Sequence, residues 1–390
     1  MNTKKLTILF ILISLMMLIP IGIVYGEDKG TTVEPESGTT EAGKTKILGG
    51  KWLPVPIFLT EPAFGYGLGV GVGYFHPRKD DSKTAPVSPI QDSDTAFSGR
   101  STKKPPPTIT GVAGGYTDKG TWFAGVGHSA SWRQDTIRYL GALAYADINS
   151  TIYVIDSPLD FVIQGAAMFQ DLKFRLGSSM FFLGGKLLYL ETESDFKITI
   201  GEDFPLGIED LKSRNVGIAL NGSFDTRDNT FTPNSGQLIE LDIWRHDEAI
   251  GGDYDYWKGT FKLLSFHQLH KRFVLGLRFE AAGVDGRAPF YGYPWVNLRG
   301  IPALRYQGRR TAVGEVEGRF NVTERWALLG FVGAGVVGTE YRLFETEDDI
   351  YAGGVGGRYH FMPDEGLWLG VDVAHGPEDL YWYISIGHAW

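Results

Sequence analysis

The sequence predicts an all-β fold, a closed antiparallel barrel that crosses a membrane with strands, and three observations lead there. Glycine and aromatic residues are matched in number, 52 Gly beside 10 Trp, 18 Tyr and 24 Phe, a mixture that suits barrels better than helical bundles. Apolar side chains recur at every second position in segment after segment, which is the period of a strand with one apolar face. Beyond residue 26 no segment approaches the roughly 20 consecutive apolar residues of a transmembrane helix. The absence of cysteine removes disulfide frameworks, thiolate metal sites and cysteine nucleophiles together. A net charge of −9 speaks against a nucleic-acid partner, which rewards a basic surface.

The chain opens on a processing signal. Lys4 and Lys5 precede an apolar run from Leu6 to Val24, and Val24 and Gly26 supply the small residues of a cleavage site before Glu27. Residues 1–26 therefore read as a secretory signal peptide cut after Gly26, with an uncleaved anchor as the alternative. Residues 27–45 contain one Val and no other large apolar side chain, too little to offset ordering entropy, and read as a disordered periplasmic tail. Residues 46–390 are expected to form one barrel domain.

The clearest strand is GYGLGVGVGYF, where Gly65, Gly67, Gly69, Gly71 and Gly73 alternate with Tyr66, Leu68, Val70, Val72 and Tyr74. An apolar row suits lipid, and the glycine row opposite leaves room inside. The same alternation marks fifteen strands, near 66–76, 107–117, 120–132, 137–147, 165–176, 180–193, 214–226, 236–246, 254–268, 273–284, 310–321, 326–338, 349–361, 367–376 and 381–390. Bacterial single-chain barrels have even strand numbers, short periplasmic turns and long outer loops. Counting back from a periplasmic C-terminus, fifteen strands would put the Pro-rich, charged segment 77–106 in the periplasm. A sixteenth strand between 137 and 165, with TIYVI (151–155) as the candidate, returns that segment to the outside.

Three segments now carry a resemblance. SFDTRDNTFTPNSGQLIEL (223–241), YPWVNLRGIPALRYQGRR (293–310) and the stretch from VGGRYHF through LGVDVAHG to ISIGHAW resemble the bacterial surface antigen barrel. That is the sixteen-stranded outer-membrane domain of the BamA-type assembly and two-partner-secretion superfamily, and the resemblance covers about residues 46–390. Leu298-Arg299-Gly300-Ile301 looks like the family's V-R-G-F/Y motif, with Leu for Val and Ile301 where an aromatic is usual. The resemblance implies that the long sixth extracellular loop folds into the lumen and that Arg299 pairs with acidic residues of the inner wall. The family often has Asp where Gly333 stands, so pairing falls to other carboxylates.

The residues support such partners independently. In RRTAVGEVEGRFN (309–321) Ala312, Gly314, Val316, Gly318 and Phe320 form one face, leaving Glu315, Glu317 and Arg319 on the other. Charges facing the bilayer midplane cost about 2–4 kcal/mol for Arg or Lys, so that row is expected to face the lumen. The same alternation sets Asp372 opposite Leu369, Val371 and Val373. In the last strand Ile384, Ile386 and Trp390 share a face and resemble the C-terminal signal by which outer-membrane proteins are recognised for insertion, with His388 as an interface side chain. The seam where this strand meets the first, near Gly65–Phe75, is expected to be weak.

Other chemistry finds little footing. Asp225-Thr226-Arg227-Asp228-Asn229 invites a cation, yet its spacing is not a calcium loop and Pro233, Asn234 and Gly236 are turn residues. No G-x-S-x-G elbow and no H-E-x-x-H pair occurs. The expectation is a non-enzymatic barrel without cofactor or metal, resident in the bacterial outer membrane, in contact with its lipid and not with nucleic acid. Assembly and secretion members of the superfamily carry POTRA domains before the barrel, and none is expected here. The implied role is assistance in inserting or translocating outer-membrane polypeptides, with unfolded polypeptides and a separate periplasmic factor as partners. A passive pore and a structural surface antigen are the rival roles.

Overall fold

The computed structural model describes residues 50–61, 64–77, 106–154, 157–200, 204–208, 212–338, 350–363 and 366–390. The signal peptide, the tail and most of segment 77–106 lie outside the described residues. The strands are β1 (Lys51–Leu59), β2 (Gly67–Phe75), β3 (Ile109–Thr117), β4 (Trp122–Trp132), β5 (Ile137–Val154), β6 (Ser157–Arg175), β7 (Phe181–Ile200), β8 (Phe204–Ile208), β9 (Ser213–Asp225), β10 (Gly236–His246), β11 (Asp255–His270), β12 (Phe273–Arg287), β13 (Arg310–Asn321), β14 (Trp326–Gly338), β15 (Ile350–Met362), β16 (Leu367–His375) and β17 (Leu380–Ile386). Sixteen of them form an antiparallel wall running from β1 to β7, across to β9 and on to β17. The short β8 pairs only with the far end of β7. The end of the wall that holds the C-terminus and the turns 271–272 and 322–325 is here the lower end.

All fifteen strands read from the alternation are present, and so is the count of sixteen. The sixteenth strand is not TIYVI. Residues 151–154 simply prolong β5, which pairs with β6 as one long hairpin as far as Val154↔Ser157. The missing strand is β1, KWLPVPIFL, which Pro54 and Pro56 hid, because proline cannot donate to a ladder and is normally confined to edges. Here it sits on one. Backbone N–H and C=O of a strand residue point to the same side, and successive residues alternate sides. Pro54 and Pro56 lie two apart in a strand whose nine residues all pair with β2, so both turn their missing N–H away from β2, toward the outer edge. Adding β1 also reverses the placement of segment 77–106: the connection from Phe75 to Ile109 leaves the wall at the lower end, beside the tight turns, and not with the long loops.

Faces alternate as the pattern demands. Leu68, Val70, Val112, Leu220, Val332 and Val355 each expose more than half of their surface, and apolar exposure repeated around the wall is a lipid-facing band. The glycine row of β2 faces inward, and β1 fills it: Leu53, Val55, Ile57 and Leu59 stand beside Gly73, Gly71, Gly69 and Gly67 and are buried.

The wall does not close by hydrogen bonds. Among the described residues no ladder joins β17 to β1, and the first strand of the seam is β1 rather than β2. Side chains meet across the gap instead. Leu53 and Val55 of β1 pack in one cluster with Leu367 of β16 and Ile386 of β17, and Tyr66 stacks on Trp382 with ring centroids 5.8 Å apart.

Candidate functional site

Residues 288–309 join β12 to β13 at the upper end and are the sixth connection there. Most of this loop turns inward as a lid. A short 3-10 turn at Phe290–Gly292 starts it, and an isolated bridge between Trp295 and Gln307 ties its two arms. Val296, Leu298 and Ile301 are 0%, 4% and 5% exposed and pack on Val313, Ile350 and Ala352 of the inner wall. Two wall glycines make this possible: a Cβ at Gly333 would lie 2.6 Å from Leu298 Cδ2, and one at Gly335 would lie 2.4 Å from Val296 Cγ1. Leu298 thus fills the space that a side chain at position 333 would take.

Gly300 has φ +100°, and a Cβ there would meet Ala352 Cβ, Gly376 N and His375 C at 3.1 Å each. Its N–H donates to Tyr383 Oη of β17 at 3.0 Å. Only glycine combines that left-handed backbone with so close an approach. Ile301, where an aromatic was the usual residue of the resembled motif, is an apolar anchor.

Arg299 reaches the three carboxylates that alternation assigned to the lumen. It binds Glu315 through Nε and Nη2, Glu317 Oε2 through Nη2 at 2.7 Å and Asp372 Oδ2 through Nη1 at 3.0 Å. Its guanidinium lies 3.5 Å above the centroid of Phe331, a cation–π contact. Arg358 holds Asp372 at 2.5 and 2.9 Å, and Arg278 reaches Glu315 at 3.4 Å. Three guanidinium groups thus meet three carboxylates, and the cluster leaves water nearly neutral, which is what makes its burial tolerable. Arg319 faces the lumen as expected but serves another contact, donating to Pro233 O at 3.2 Å and to Asn234 Oδ1.

The C-terminus corrects the sequence reading. The last strand ends at Ile386. Gly387, at φ +81°, turns the chain into the lumen, where its N–H donates to Trp368 O at 2.7 Å and that of His388 to Phe231 O at 2.6 Å. Trp390 therefore shares no outer face with Ile384. Its Nε1 donates to Glu315 Oε1 at 3.0 Å, and its ring packs against Phe266. His388 is likewise no interface residue; Nε2 lies 3.2 Å from Glu317 Oε1. The lid and the tail that follows the last strand share two carboxylates.

The lid also touches both sides of the seam at the upper end. Ala303 N–H donates to Glu61 Oε1 at 3.0 Å in the connection after β1, and Arg305 and Tyr306 both reach Glu378 just before β17. Below, the end of β9 and the 226–235 turn supply further contacts: Asp225 holds Arg138 and Arg227, Asp228 Oδ1 accepts from the amides of Asn234 and Ser235, and Asn229 Oδ1 from those of Phe231 and Thr232. These oxygens serve arginines and turn amides, which agrees with the turn reading of that motif. Sequence reasoning missed Phe331, Arg278, Arg358 and Tyr383, although each stands at a lumenal position of its strand's alternation.

A sixteen-strand wall, an inserted sixth loop and a break between first and last strands together invite comparison with known barrels. No family model and no curated protein matches the chain. Solved structures do match. BamA from Haemophilus ducreyi lacking POTRA domains 1–3 aligns with a TM-score of 0.54 and 11% identity, over 86% of this chain and 70% of that one. The chain has the BamA barrel fold. CdiB from Acinetobacter baumannii aligns with a TM-score of 0.56 and 11% identity over 86% of this chain and 59% of its own. CdiB from Escherichia coli aligns at 0.55 and 11%, over 86% and 62%. The chain thus spans less than two thirds of either CdiB, and the likeness to all of these is one of fold.

Proposed function

We propose that this protein is an outer-membrane barrel that assists the insertion or translocation of outer-membrane polypeptides through the seam between β1 and β17, without enzymatic chemistry. The observation that carries this reading is the break in the ladder at that seam. An unpaired strand edge is a template for another strand. The two edges differ: β1 lacks N–H groups at Pro54 and Pro56, whereas β17 contains no proline and offers a complete set. A client strand therefore pairs on β17, and β1 acts as the wall that yields.

In this setting the lower end faces the periplasm and the upper end the outside. The lid argues against a passive pore. A cavity of about 570 Å³ remains in the lumen, bounded by Trp295 and Asn297 of the lid and by Arg227 and Thr230 of the periplasmic turn. Its wall carries Lys173, Lys186, Glu240 and Asp242, which pair as Lys173–Glu240 and Lys186–Asp242 at 2.6 Å each. The test is the rate at which a urea-unfolded outer-membrane barrel folds into liposomes containing this protein, beside empty liposomes. Faster folding with the protein supports the proposal; equal rates with and without it overturn the insertase role.

A further inference from the structure

On the outer face one cross-strand row breaks the apolar pattern. Tyr74, Thr110, His128, Gly141 and Gln170 are register partners across β2 to β6. The next row up, Val72, Val112, Val126, Leu143 and Met168, is apolar throughout. Polar groups turned toward lipid are costly unless they bond to one another, and these do. Thr110 Oγ1 bridges His76 Nε2 at 2.8 Å and His128 Nδ1 at 2.7 Å. Tyr139 folds over Gly141, where a Cβ would lie 2.3 Å from its hydroxyl, and donates to Gln170 Oε1. The row starts one pair from the lower ends of β2 and β3, which the proposed orientation turns toward the headgroups of the periplasmic leaflet.

The bonding leaves capacity unused. A threonine hydroxyl donates one bond, so one imidazole donates to Thr110 and the other accepts from it. In either polarity a ring N–H of one histidine is left without a bond among the described residues. Beside them the Tyr74 ring stands edge-on to His76, with centroids 4.7 Å apart. A donor left over on a lipid-facing surface matches an acceptor that lipid itself brings there.

We propose that His76, Thr110 and His128, with Tyr74 and Tyr139 beside them, form a binding site for the phosphate of a phospholipid in the periplasmic leaflet. The phosphate oxygens accept from the free imidazole N–H, and the acyl chains lie along the apolar rows above. This site is on the opposite face of the wall from the lid and does not depend on the insertase role.

Native mass spectrometry of the full chain, released from detergent, tests it with dioleoyl phosphatidylglycerol, with dioleoylglycerol lacking the phosphate, and with inorganic phosphate. The expected result is retention of the phospholipid but not the diacylglycerol. The His76→Ala/His128→Ala variant should retain it about tenfold less, the loss of a charge-assisted hydrogen bond, while Val126→Ala in the neighbouring row retains it fully. Equal retention of diacylglycerol, or no loss in the double variant, overturns the site. Binding of inorganic phosphate alone at comparable strength makes it a free-anion site and overturns the lipid assignment. If the double variant does not reach the heat-modifiable folded form, the single variants His76→Ala and His128→Ala carry the same test, with reduced retention expected in at least one and undiminished retention in both overturning the site.

Discussion

Replacing Arg299 by Ala isolates the ionic part of the lid's hold. The Arg299 side chain is 10% exposed and those of Glu315, Glu317 and Asp372 are 1%, 3% and 1%, so solvent screening discounts the pairing little. Removing one partner of a buried pair costs about 3–5 kcal/mol. Arg278 and Arg358 stay behind to hold two of the carboxylates, which places the effect near the low end. The apolar anchors Val296, Leu298 and Ile301 remain, worth about 1.5–3 kcal/mol each, so the lid keeps its mean position and opens more often. A cost of about 3 kcal/mol raises the open population roughly 100-fold. Hydrogen exchange reads this at amides held within the lid: Val296 to Tyr306 O at 2.9 Å, Ile301 to Leu298 O at 3.1 Å and Gly308 to Pro294 O at 3.1 Å. Arg299→Lys keeps the charge but loses the fork and should fall between the two. Exchange at these amides changed by less than about threefold in Arg299→Ala, under 1 kcal/mol, would refute the ionic lock.

Other expectations follow from single contacts. Gly300→Ala forces a side chain into a left-handed backbone against Ala352 and should cost about 1–3 kcal/mol, seen as protease cleavage within 288–309. Gly333→Ala drives a methyl into Leu298 and should loosen the same loop by about 1–3 kcal/mol, whereas Gly314→Ala, with open space around it, should not. Trp390→Phe removes one bond to a carboxylate, about 1.5–3 kcal/mol, and a double-mutant cycle with Arg299→Ala should show coupling because both bind Glu315; additive effects would separate tail from lid. Pro54→Thr with Pro56→Thr restores two donors to the free edge of β1, so resistance to heat unfolding should rise while client folding slows.

Much of this was legible in alternation, and its failures have physical causes. Strands facing lipid on one side and lumen on the other must alternate, so β2 to β17 apart from β8 could be read, along with the inward row Glu315, Glu317 and Arg319. Alternation cannot see an edge strand whose prolines are tolerated because its outer side is unpaired, and β1 was lost for that reason. Nor does it register a single left-handed glycine. Extending β17 through Gly387 placed Trp390 on lipid, whereas the turn at that residue sends it to Glu315. Arg299 and its carboxylates were found because charge is costly on the outer face. Phe331, an aromatic on the glycine face of β14, was available by the same rule and went unread.

Insertion through the seam requires the edges of β1 and β17 to part. The chain has no cysteine, so Tyr66→Cys with Trp382→Cys places two thiols across it that a short bis-maleimide can join. Folding of a urea-unfolded outer-membrane barrel into liposomes is then timed with the cross-linked protein, the unlinked double variant and each single variant treated with the same reagent. Acceleration is expected in every sample except the cross-linked one; undiminished acceleration with the seam tied shut would contradict insertion through the seam.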